Sequence, residues 1–148
     1  MKNAFLLFVC FALFLCSTSC VQRDSAADIL YRVCAEYELP SGETYIKSAE
    51  EGSAGYLDES MIQTLYGKDG IDVFPLLEDY AIYISSFAEP YEVAVFICYS
   101  ASDTDSIAEL CLERMEVLKV ILRDTEYFEI IEKGSVGIKG RCVIMKIV

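Results

Sequence analysis

The sequence predicts an α+β fold, an antiparallel sheet of about four strands packed against one long helix, with a further helix at the N-terminal side. Three observations predict it. Apolar residues recur with helical spacing in two separated stretches, residues 22–38 and about 103–123. Two pairs of runs rich in β-branched and aromatic residues flank the second stretch, giving a ββαββ core. A tight link closes each pair, Ala88-Glu89-Pro90 in the first and Gly140 in the second, which favours hairpins over crossovers.

The elements follow in order. In Gln22–Glu38, residues Ile29, Leu30, Val33, Cys34 and Tyr37 form one apolar stripe, and Leu39-Pro40-Ser41-Gly42 stops the helix. Residues 43–57 are mostly polar, with one short strand candidate at Thr44–Lys47. Asp58-Glu59-Ser60 leads a brief helix through Met61, Ile62 and Leu65 that ends near Gly67, and Lys68–Pro75 reads as a connection. Tyr80–Phe87 and Tyr91–Tyr99 are the first strand pair. Ser102–Asp105 supplies caps for the long helix. Glu126–Glu132 fits a short helix and a strand equally. Gly134–Lys139 and Arg141–Ile147 form the closing hairpin.

The second strand is apolar on both sides: Val93, Val95 and Ile97 alternate with Ala94, Phe96 and Cys98. Such a strand needs cover on both faces. The long helix can shield one; the first helix or a partner must shield the other.

The head of the chain carries an address. Met1-Lys2-Asn3 holds one positive charge, and Ala4–Cys16 carries none. That run falls short of the roughly 20 apolar residues a spanning helix needs. A basic start, a short apolar middle and a small-residue exit describe a secretory signal peptide over residues 1–19, cut between Ser19 and Cys20. Ser17-Thr18-Ser19-Cys20 resembles the lipobox of bacterial lipoproteins, departing from it at Ser17, where leucine is usual. The resemblance implies that Cys20 carries diacylglycerol, whose two acyl chains suffice for stable anchoring in the lipid bilayer. Residues 20–26 are then a tether and 27–148 a single domain on the outer face of the cytoplasmic membrane; plain secretion is the alternative.

Loss of Lys2 with the head leaves 11 basic and 24 acidic residues, net −13. Phosphate backbones repel such a surface, so nucleic acid is excluded as a partner, and anionic headgroups repel it too.

Several chemistries are excluded. No histidine occurs, which removes Ser-His-Asp and Cys-His catalysis and histidine metal ligands. No G-x-S-x-G elbow, Ser-x-x-Lys motif or phosphate-cradling glycine loop is present. Asp103-Thr104-Asp105 lacks the further oxygen ligands and the glycine of a calcium loop, and reads as a helix start. Cys34, Cys98, Cys111 and Cys142 make no C-x-x-C pair and fall on apolar stripes or in strands, so they read as free, packed thiols rather than disulfides. No cofactor or metal is expected.

One charge stands out of place. Ile107, Leu110, Cys111, Met115, Val117, Leu118, Ile121 and Leu122 share one arc of the long helix, and Arg114 falls near its centre. A guanidinium there needs a carboxylate, and Glu92, at the start of the second strand, is preferred over Glu89 as its ion-pair partner.

Glu89-Pro90-Tyr91-Glu92-Val93-Ala94-Val95-Phe96, Ser100-Ala101-Ser102-Asp103, the helix bearing Arg114 and Leu65-Tyr66-Gly67 together resemble a bacterial family of mostly predicted lipoproteins, domain of unknown function 4358. The resemblance covers about residues 27–148. It implies a location and no activity. The expected function is a non-catalytic, membrane-tethered domain that binds an unidentified protein or small molecule. The alternative is a carboxylate-dependent hydrolase of cell-wall sugars, marked by a deep acidic cleft with two facing carboxylates.

Overall fold

The computed structural model describes residues 23–86 and 89–148. Among them lie α1 (Ala26–Cys34), β1 (Gly42–Ile46), α2 (Glu59–Val73), β2 (Leu77–Ser85), β3 (Glu92–Cys98), α3 (Thr104–Ile121), α4 (Phe128–Glu132), β4 (Ser135–Lys139) and β5 (Cys142–Ile147). The strands form a five-stranded sheet in the order β1-β2-β3-β5-β4, every neighbour antiparallel. The fold is thus α+β, with the ββαββ core extended at one edge by β1. The signal segment, the Ser19–Cys20 cut and the lipidation site Cys20 lie outside the described residues, as do Phe87 and Ala88 in the β2–β3 link.

Alternation along the strands sorts the side chains into two cores. Tyr80, Ile82, Ala94, Phe96, Cys98, Val143, Met145 and Ile147 face α2 and α3. Ala81, Val93 and Val95 face the other way, onto Ala26 and Leu30 of α1. The first helix therefore supplies the second cover that β3 requires. A bulge between Leu77 and Asp79 lets Leu77 and Tyr80, three residues apart, both enter the α2–α3 core.

α1 is shorter than residues 22–38, for a local reason. Ser25 and Asp28 form a capping box: Ser25 Oγ accepts from the Asp28 amide at 3.1 Å, and Asp28 Oδ2 accepts from the Ser25 amide at 3.1 Å. The Ala26 amide donates to Asp79 Oδ2 at 2.8 Å, which ties the start of α1 to the start of β2. Past Cys34 the chain tightens into turns, and Tyr37 of the expected stripe is exposed.

The strand candidate at 44–47 is β1, shifted to Gly42–Ile46. Asp58 caps α2 by accepting from the Met61 amide at 2.7 Å. Gly67 takes a left-handed φ of 71° that breaks the helix where the sequence expects it to end. Helix resumes after it, however, so Lys68–Val73 is not a connection. Residues 126–132 resolve as the short helix α4. Gly140, at φ 62°, opens the two-residue β4–β5 turn. At α3 the expected cap is corrected: Asp103 makes no side-chain bond to the helix amides, and its carboxylate accepts from Ser102 Oγ instead. A 3₁₀ turn, Ala101–Asp103, precedes α3 and takes the capping bond, from the Ser102 amide to Ser100 Oγ.

Candidate functional site

Glu92 is the first residue of β3 and continues the inward series Ala94, Phe96, Cys98. Arg114 sits on α3 one turn beyond Leu110 and Cys111, both buried. The two meet. Arg114 Nε and Nη2 donate to Glu92 Oε2 at 3.1 and 3.0 Å, and the Tyr66 hydroxyl of α2 donates to Glu92 Oε1 at 3.1 Å. Both carboxylate oxygens are therefore engaged. Glu92 is 1% exposed, and three side-chain donors take the place of the water that its carboxyl group loses on burial. Burial first, then the Glu92 charge, pushes the Tyr66 phenol far above its ordinary range and keeps it a donor. Glu89 is half-buried and, among the described residues, makes no ion pair.

Arg114 is less enclosed, with 12% of its side chain accessible. Among the described residues its Nη1 donates to nothing, yet no buried side-chain nitrogen or oxygen lacks a partner. That edge of the guanidinium therefore opens outward, into a cleft.

The cleft has a volume of about 670 Å³. It is bounded by β1 (Gly42, Glu43, Tyr45), the first turns of α2 (Ser60, Met61, Thr64, Leu65), the end of β2 with the start of β3 (Ile84–Ser86, Glu89–Glu92) and α3 (Arg114, Leu118, Ile121, Leu122). This corrects the expected burial of the long helix. Ile121 is 66% exposed because the last turns of α3 wall the cleft instead of covering the sheet, and Val117, 51% exposed, lies outside the cleft lining. Apolar carbon dominates the lining, as in most small-molecule sites.

The remaining carboxylates of the cleft are Glu43 and Glu89. Glu43 Oε2 accepts from the Tyr45 hydroxyl at 2.5 Å. Burial and that contact push the Tyr45 phenol up to about 12. Ser85 Oγ donates to the Glu89 carbonyl and braces the β2–β3 link.

The four thiols are free. Cys98 and Cys111 are buried in the α2–α3 core, while Cys34 and Cys142 are half-buried on the α1 side. Burial raises the pKa of all four. Among the described residues no group of acidic or sulfur ligands is placed to hold a metal ion, and no helix is long and apolar enough to cross a membrane.

Sequence reasoning reached Arg114 and Glu92 but missed the Tyr66 hydroxyl. The helical position of Tyr66 beside Leu65 was the available signal. No protein-family model, curated protein or solved structure matches the chain.

Proposed function

We propose that the chain is an extracytoplasmic lipoprotein domain of the domain of unknown function 4358 type, held on the outer face of the cytoplasmic membrane through Cys20, that binds an apolar ligand in the α2–α3 cleft without catalysing a reaction. The observation that carries the binding reading is the cleft itself, apolar over most of its surface, with the carboxylate at its floor consumed by Arg114 and Tyr66. A hydrolytic pair of carboxylates needs two free groups facing one another across the substrate. Here Glu92 is committed on both oxygens and Glu43 is bonded to Tyr45.

The placement of the tether supports the reading. Four residues separate Cys20 from Ser25, and the five steps reach at most about 18 Å. Ala26 is fixed to Asp79 at the start of β2, whereas the cleft lies beside Ser85 and Glu92, at the end of β2 and the start of β3. Six residues of strand set these ends roughly 20 Å apart. The anchor point and the cleft then lie toward opposite ends of β2, which leaves the cleft free of the tether.

Two measurements test the proposal. The Cys20→Ala protein should remain as full-length precursor or be released to the medium; unchanged processing and membrane retention would overturn the anchor. The neutral dye N-phenyl-1-naphthylamine should bind the purified domain saturably at one site, and Leu118→Arg should abolish that binding while the circular dichroism spectrum is kept. Binding that survives Leu118→Arg would place the site elsewhere.

A further inference from the structure

Resting on that reading, we infer that the ligand of the cleft is a small amphiphile with an apolar body and a positively charged head. The apolar body is set by Met61, Leu65, Ile84, Leu118, Ile121 and Leu122, which converge from α2, β2 and the end of α3. A space of about 670 Å³ suits a molecule of drug-like size, not a folded partner.

The sign of the head follows from the charges. Among the described residues, Glu43, Glu89, Glu92 and Arg114 are the charged residues that line the cleft, a balance of −2. Arg114 and Glu92 cancel one another at the floor through a contact of 3.0 Å. The two uncompensated charges, Glu43 and Glu89, come from β1 and from the β2–β3 link. Tyr45, whose hydroxyl donates to Glu43, and Tyr91, two residues beyond Glu89, line the same cleft. Carboxylates beside phenol rings attract a cation by charge and by the negative faces of the rings. The whole chain, at −12, adds a field of the same sign and steers cations inward. An anionic head meets repulsion from all of these and finds only Arg114, whose charge is already matched. The open Nη1 edge then serves a neutral acceptor on the ligand, a carbonyl or hydroxyl oxygen, near the floor.

A series of amphiphiles sharing a ten-carbon chain separates head charge from apolar fit. Decyltrimethylammonium, decyl maltoside and decyl sulfate are titrated below their micelle concentrations and followed by calorimetry. Decyltrimethylammonium should bind at least about tenfold more tightly than decyl sulfate, with decyl maltoside between them. Glu43→Gln and Glu89→Gln, which keep the side-chain shape, should each weaken the ammonium compound by about two- to fivefold and leave the maltoside unchanged. Added salt should weaken the ammonium compound alone. Equal affinity of the ammonium and maltoside compounds, or indifference of the ammonium compound to both glutamine variants, overturns the cationic head while leaving the apolar cleft standing. Failure of all three compounds to bind overturns the cleft reading as well.

Discussion

Toward the start of β2, the space between the sheet and its two long helices is filled by four rings. Tyr66, Phe74, Tyr80 and Phe96 interlock at centroid separations of 5.5–6.0 Å, mostly edge to face. Toward the end of β2 the same face is left open, and the residues that would have closed it wall a cleft instead. Tyr66 joins the two regions: its ring belongs to the filled end and its hydroxyl to the floor of the open one. A core carries its load in one region and can leave volume in another, provided the polar groups at the boundary are satisfied. The Glu92–Arg114–Tyr66 triad is that boundary.

The largest contrast should come from truncating one side chain at each end. Phe96 is 1% exposed, and Phe96→Ala should cost about 3–5 kcal/mol in urea unfolding. Leu118 borders the cleft and is only partly buried. Leu118→Ala should cost about 1 kcal/mol or less. Equal costs would mean that the cleft is packed shut in solution.

The boundary itself should respond asymmetrically. Arg114→Met strands a carboxylate that is 1% exposed, and should cost about 3–5 kcal/mol. Glu92→Gln strands a guanidinium that already reaches the cleft, and should cost about 1–3 kcal/mol. The double variant Glu92→Leu/Arg114→Met should cost much less than the sum of the single changes. Additive losses in that cycle would show that the two groups do not interact.

The smallest effect separates the faces of the sheet. Cys34, at the end of α1, and Cys142, on the sheet face that α1 covers, are half-buried and should alkylate before Cys98 and Cys111. All four should react quickly in denaturant without reductant. Resistance under those conditions would establish disulfides.

The parts of the fold legible in the sequence are those where one residue's environment follows from its neighbours. Alternation in 92–98 announced two covered faces, and the helical arc around Arg114 announced a charge that needed Glu92. β1 was faint because it is an edge strand with one buried residue, Tyr45. The run beyond Gly67 was lost because a single left-handed residue looks like a helix end whether or not helix resumes. The cleft was not legible at all. Leu118, Ile121 and Leu122 have the same spacing whether they meet a sheet or an empty volume. Only the distance between α2, α3 and the β2–β3 link decides which.

Methyl-resolved NMR of the purified domain titrated with decyl maltoside tests the cleft most directly. Saturable shifts are expected at Met61, Leu65, Leu118 and Ile121, with Ile107 and Val143 of the filled end unmoved. Shifts confined to methyls around α1, or none at saturating concentration, would contradict it.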